Sequence, residues 1–277
     1  MKTKLSDKIF RRWLPLVLIN IFVLVPIWWT LVTSLKQEGD ILKKPVRYIP
    51  DPATLENYMR AWVNCRFDRY FFNSMRIAVV AVFFIVVIAI ITGYALSRFQ
   101  FQGKNGFMLM LLCIQFIPHA VLLIPLFRIF NTMGLIGKPL SVILVCITFQ
   151  FPFNSILIRG FIGGIPYTLE EAAQIDGCSW LMAVWKVVIP MLIPGIVTTA
   201  AFAFIGVWNE FLFSMMFLND ANNYTIPIGL KMMQGEYNIS YGALAAGAII
   251  AMSIPVALFA YLQKYLVTGM GAGAVKG

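Results

Sequence analysis

Residues 74–97 read SMRIAVVAVFFIVVIAIITGYALS, an apolar run whose one charge, Arg76, stands near its start. At 1.5 Å of rise per residue, a helix over this run crosses the ~30 Å hydrocarbon core of a bilayer with room for tilt. In lipid a single span must satisfy its own backbone polar groups, which favours a helix. Runs of the same kind lie to either side, at about 13–32, 107–127, 140–158, 187–218 and 241–266. The expected fold is all-α: a polytopic membrane bundle of about six transmembrane helices.

Composition points the same way. The 277 residues are 60% hydrophobic and 12% charged, with a mean hydropathy of +0.81. Soluble domains carry about 25% charged residues, and half that leaves too little polar surface to cover a water-exposed globule. The formal net charge is +10. The basic residues stand at the ends of apolar runs, as topology signals do, and form no basic face for nucleic acid. The expected surroundings are membrane lipid, with no nucleic-acid partner.

Lys2, Lys4, Lys8, Arg11 and Arg12 precede the first run, opposed only by Asp7. That run outlasts the ~7–15-residue apolar core of a cleaved signal peptide. It ends in Ile27-Trp28-Trp29 without an Ala-x-Ala site. It reads as an uncleaved first span with a cytoplasmic N-terminus, and an even number of spans returns the C-terminus to that side. The short Arg98–Lys104 connection supports this orientation. A multi-pass protein of the inner (plasma) membrane is expected. Residues 36–69 mix both charges with Pro45, Pro50 and Pro52, and read as an external loop with a short helix near 55–63. Cys65, Cys113, Cys146 and Cys178 lack CxxC spacing, so no metal or redox site is expected.

The connection after the fourth run, residues 164–180, reads GIPYTLEEAAQIDGCSW. Thr168 and Glu171 match a capping box. Glu170 and Glu171 suit the positive end of a helix dipole. Ala172 and Ala173 leave a smooth surface for close approach. Asp176-Gly177 reads as a C-terminal stop, and a second helix is expected from Ser179 toward Lys186. Pro190 and Pro194 mark entry to the fifth span. The segment 166–186 thus reads as a short helix, a turn and a second helix at the cytoplasmic surface.

Glu171-Ala172-Ala173, Asp176-Gly177, Ile189-Pro190 and Pro194 together resemble the EAA motif of binding-protein-dependent ABC importer permeases. The resemblance covers nearly the whole chain. Pro26 to Lys36, Asn73-Ser74, Gly93 to Phe99, Trp208-Asn209-Glu210-Phe211 and the tail Gly269–Gly277 are similar to the carbohydrate subfamily, nearest its maltose-type second permease.

The resemblance implies one transmembrane domain over 1–277, with pathway helices over about 74–266 and a C-terminal cytoplasmic tail, 267–277. It implies that 166–186 carries a coupling helix that sits in a cleft of a cytoplasmic ATPase. The candidate coupling residues are Glu170, Glu171, Ala172, Ala173, Asp176 and Gly177. Glu171 would pair with a basic residue of the ATPase, and Gly177 would permit the turn. The tail would also touch the ATPases. The implied partners are a second permease subunit, two nucleotide-binding ATPase subunits, an extracytoplasmic solute-binding protein and a sugar-like solute. ATP and Mg would be bound by the partner subunits, with no cofactor, metal or catalytic residue on this chain. The chain has no Walker A loop, so another chain must hydrolyse ATP.

The substrate-pathway candidates are Trp208, Asn209, Glu210, Phe213, Asn154 and Gln115. A carboxylate within a span is a functional candidate by default, and aromatic rings stack on the apolar face of a sugar. Glu210 reads equally as a cap or tie within the bundle. His119, the only histidine, reads first as packing in a proline-bent helix and second as a gate. The loop 219–240 is polar with interspersed aromatics, and in the resembled family faces the binding protein. A membrane enzyme lacks support, since HExxH and GxSxG are absent. No internal repeat is visible, and many secondary transporters are built from two related halves. An importer permease for another polar solute, or a free-standing secondary transporter, stand as alternatives.

Overall fold

A computed structural model describes residues 3–235 and 239–274, with side chains described over 13–235 and 239–264. The described residues form helices and connections, without strands. The long helices are α1 (Thr3–Ser34), α2 (Phe67–Arg98), α3 (Lys104–Ile114), α4 (His119–Thr132) and α5 (Pro139–Gly163). After the short α6 (Thr168–Ile175) come α7 (Trp180–Trp208), α8 (Leu212–Phe217), α9 (Ile226–Met233) and α10 (Tyr241–Ala274). Among the described residues, five helices are long and apolar enough to cross a membrane, and six spans result if α3 and α4 count as one.

Two expected spans are not continuous helices. The run 107–127 divides into α3 and α4, which meet at 97°. Pro118 carries no N–H and pushes Ile117 away from helical geometry, so the helix stops before it and restarts at His119. The expected fifth span, 187–218, begins earlier, at Trp180, and ends at Trp208. Its start contains a π-helical turn, Val184–Val188. Asn209, Glu210 and Phe211 then turn the chain into the separate α8. The expected loop 219–240 includes the helix α9; Glu236 and Tyr237 lie outside the described residues, as does the end of the tail, 275–277. The short helix expected near 55–63 is present as Glu56–Met59 followed by a π turn, Arg60–Asn64.

The chain divides into two compact units. In the first, residues 1–68 with 229–253, Glu38 caps the start of α10. Its carboxylate accepts from the Tyr241 N–H (2.7 Å), the Gly242 N–H (3.0 Å) and the Ser240 hydroxyl (3.0 Å). Buried Asn57 donates to the carbonyls of Ser34 and Lys36, at 2.9 and 2.6 Å. These bonds satisfy the orphan groups left where α1 ends and α10 begins. The apolar side chains of α1 from Trp13 to Val25 are exposed along their length.

The second unit, residues 69–228 with 254–277, holds both candidate sites. α5 lies at its centre and packs most extensively on α7. α2 approaches α5 at Gly93, where an added Cβ would lie 2.3 Å from Ile158 Cγ2 and 3.0 Å from the Arg159 backbone N. Small residues permit such close approach between membrane helices, where dispersion replaces the hydrophobic effect as the packing force. At the other end of α2, Asn73 donates to the carbonyls of Asn222 and Tyr224 (2.7 and 3.0 Å), and Arg69 donates to Asn222 Oδ1 (2.6 Å). Ser74 Oγ accepts from the Ile226 N–H at 2.9 Å. One end of α2 thereby fixes the 222–226 segment.

Candidate functional site

The other end of α2 fixes α6. Glu170 is fully buried. Tyr94 Oη donates to its Oε2 at 2.6 Å, and Arg98 Nε donates to its Oε1 at 2.6 Å. Arg98 Nη2 also donates to the Ile165 carbonyl (2.9 Å), and Trp180 Nε1 donates to Tyr94 Oη (3.0 Å). Five residues from α2, the α5–α6 turn, α6 and α7 thus form one polar bolt. Apolar packing by Ile158, Ile162, Ile165, Val188 and Leu192 surrounds it. A buried carboxylate persists only when paired and hydrogen-bonded, and Glu170 is both.

This placement corrects two expectations. Thr168 is the first residue of α6 rather than its cap; Tyr167 is the N-cap, without a side-chain cap bond, so the capping box does not form. Of the two acids, Glu170 turns into the chain, whereas Glu171 is exposed. Glu170 therefore holds the helix from behind and is absent from its outer face.

Glu171, Ala172, Asp176 and Gly177 are exposed and Ala173 is half-buried. Leu169 and Tyr167 project beside them, and Ile175 is 86% exposed. α6 ends in a Schellman motif, with Gly177 N–H bonded to the Gln174 carbonyl and Cys178 N–H to that of Ala173, both at 3.0 Å. Gly177 has φ +89°, which a side chain disfavours. Ser179 then caps α7, its Oγ accepting from the Met182 N–H at 3.4 Å.

The pathway candidates separate into two groups. Asn209, Glu210 and Phe213 line a cavity of about 300 Å³, together with His119, Phe149 and Gln150. Phe149 and Phe213 stack at 5.4 Å, and the His119 ring lies 4.5 Å from Phe149. Glu210 caps α8: its carboxylate accepts from the Phe213 N–H (2.7 Å), the Ser214 N–H (2.9 Å) and the Ser214 hydroxyl. Trp208, Asn154 and Gln115 do not line the cavity. Trp208 is buried against Phe71 and Phe204. Asn154 is buried, donates to the Gln150 carbonyl at 2.7 Å, and its Oδ1 has no partner among the described residues. Gln115 donates to the Phe149 carbonyl at 3.2 Å.

Sequence reasoning pairs Gln150 with Asn154 as polar groups of the fourth run that line a pathway or bond between helices, and Gln150 does line the cavity; it missed Tyr94, Arg98 and Trp180 as the anchors of α6. Gln150 carries a readable signal, since it is a polar residue four positions before Asn154 in an apolar run. The anchors do not, because Arg98 meets Glu170 across 72 positions. Among the described residues, no cluster of His, Cys, Asp and Glu is suited to a metal.

Comparisons with known proteins place the chain in a family. The family described as "Binding-protein-dependent transport system inner membrane component" matches residues 85–271. The sulfoquinovosyl glycerol transport system permease protein SmoH of Agrobacterium fabrum is 32% identical over 255 residues, covering 92% of this chain and 89% of its own. The diacetylchitobiose uptake system permease protein DasC of Streptomyces coelicolor is 33% identical over 262 residues, covering 94% and 95%. A chain in a crystal structure of a bacterial ABC transporter involved in alginate import has the same fold. It has a TM-score of 0.80 at 23% identity, covering 94% of this chain and 97% of that one. A helical bundle that holds a short exposed helix between two spans, with sequence matched along most of its length, belongs to the inner-membrane components of binding-protein-dependent transport systems.

Proposed function

We propose that this chain is a permease subunit of an ATP-driven importer that takes a sugar or sugar-like solute from a binding protein into the cytoplasm. The observation that carries the reading is α6, a helix bolted from behind through Glu170 and open in front at Glu171, Ala172, Ile175 and Gly177. In this reading α6 is the coupling helix. Its outer face sits in a cleft of a nucleotide-binding subunit, and ATP-driven closure of two such subunits moves two coupling helices together. Motion of α6 passes through Glu170 to α2 and, through Trp180, to α7. ATP and Mg are held by those partners, and both termini lie in the cytoplasm.

The whole chain acts as one transmembrane domain, and a second permease supplies the facing half of the pathway. The cavity at Glu210 fits a sugar-like solute chemically. Phe149 and Phe213 offer aromatic faces, and Gln150 and Asn209 offer amides for hydroxyl groups. Printed names of relatives, sulfoquinovosyl glycerol and diacetylchitobiose, support a glycan class. A structural neighbour was solved with a periplasmic protein bound to an alginate pentasaccharide, which supports the binding-protein partner.

The test is purification of the tagged chain from its native membrane in mild detergent, with ATPase assay and mass spectrometry of co-purifying chains. Recovery of a second permease and a nucleotide-binding subunit is the expected result. A chain that purifies alone and without ATPase activity in every detergent and salt tried would refute it.

A further inference from the structure

A second cleft, of about 360 Å³, opens between the C-terminal half of α2 and the start of α7. Ile91, Tyr94 and Phe99 form one wall, and Trp180, Leu181 and Trp185 the other. Ile91, Leu181 and Trp185 are each more than half exposed. The polar bolt lies at one side of the cleft, where Trp180 meets Tyr94. Two lysines neighbour its lining residues: Lys104 Nζ donates to the Phe99 carbonyl at 2.9 Å, and exposed Lys186 directly follows Trp185 in the chain. Neither lysine forms an ion pair among the described residues.

We propose that this cleft binds an anionic phospholipid, with an acyl chain between α2 and α7 and the phosphate against Lys104 and Lys186. Depth favours lipid. The cleft begins inside the apolar run of α2 and ends where the first charges appear, at Arg98 and Lys104. Tyr94, Trp180 and Trp185 stand at that boundary, where amphipathic rings meet lipid headgroups. Charge favours an anionic lipid. The Arg98 guanidinium is engaged by Glu170, which leaves the two lysines to meet the phosphate. Size disfavours a protein helix. One helical turn about 5.4 Å long and ~10 Å across takes up roughly 400 Å³, so a helix would lie outside the cleft and insert only side chains. A slender acyl chain lies within it.

The cleft wall is shared with the residues that hold Glu170, so an occupied cleft braces α6 through Tyr94 and Trp180. The proposal requires only that the chain is embedded in a membrane. It therefore stands or falls separately from the importer reading.

The test is native mass spectrometry of the full chain in its purified complex, with equal amounts of palmitoyl-oleoyl phosphatidylglycerol and phosphatidylcholine. A juxtamembrane lysine adds about fivefold to anionic-lipid affinity. The wild type should retain phosphatidylglycerol over phosphatidylcholine by tenfold or more. Lys104→Gln with Lys186→Gln should bring the two lipids toward parity, and Ala95→Phe, which enlarges a side chain of the cleft lining, should lower retention of both. Equal retention by the wild type, or a preference unchanged in the lysine pair, overturns the proposal. High-yield crosslinking of Ile91→Cys to a helix of a partner permease also overturns it, and makes the cleft a protein interface. If Ala95→Phe fails to insert, the lysine pair alone decides.

Discussion

Replacing Glu170 with alanine removes the acceptor that joins α6 to α2. Two donors lose it, Tyr94 Oη and Arg98 Nε, each at 2.6 Å. The Arg98 side chain is only 9% exposed and Glu170 is wholly buried, so water does little to replace the lost partner. Breaking a buried pair by removing one member costs about 3–5 kcal/mol. The lower end applies here, because Arg98 keeps the Ile165 carbonyl and Tyr94 keeps the bond from Trp180. About 3 kcal/mol corresponds to roughly 150-fold more frequent detachment of α6. Amide hydrogen exchange over residues 168–177, measured in lipid nanodiscs, reads this directly. The expected result is an acceleration near that factor confined to this segment, with α2 and α5 unchanged. Adding Arg98→Ala should cost less than the sum of the two single changes, since the second removes the charge stranded by the first. Exchange that rises less than tenfold in Glu170→Ala would refute the reasoning.

Gly177→Arg should leave membrane insertion normal and abolish uptake. The added side chain meets open space, so the effect is a backbone strain of about 1–2 kcal/mol at φ +89° plus a bulky cation on the outer face of α6; normal uptake at normal expression would count against the coupling role. Glu210→Ala strips α8 of its cap and should cost about 1–2 kcal/mol, seen as a lower melting temperature in detergent. Loss of uptake with an unchanged melting temperature would instead assign this carboxylate to the solute. Gly93→Leu should destabilise the chain by about 1–3 kcal/mol. The neighbour at 3.0 Å is the Arg159 backbone, which cannot rotate away; an unaltered melting temperature would show that α2 and α5 are less closely packed.

The spans were legible in the sequence because each is a long apolar run, and length in lipid is a one-dimensional property. The outer face of α6 was legible for a similar reason, since Glu171 through Gly177 are neighbours in the chain. Breaks within spans were harder. Pro118 interrupts α3 and α4, while Pro152, Pro194 and Pro255 lie inside α5, α7 and α10. A proline therefore does not announce whether neighbouring helices will compensate for its missing N–H. The direction of Glu170 was not legible at all. Two adjacent acids look alike in sequence, and only the arrival of Arg98 and Tyr94 from another helix separates the inward one from the outward one.

Of the five long spans among the described residues, α2 alone contains no proline. From Arg69 to Arg98 it is a rod of about 44 Å at 1.5 Å per residue, pinned at one end to the 222–226 segment and at the other to α6. A rod fixed at both ends converts rotation into displacement. A tilt of about 5° about one pin carries the other through nearly ~4 Å at that length. Small angular changes beside Glu170 are thereby geared up into movements the size of a side chain on the opposite side of the membrane, without any bond along α2 having to break.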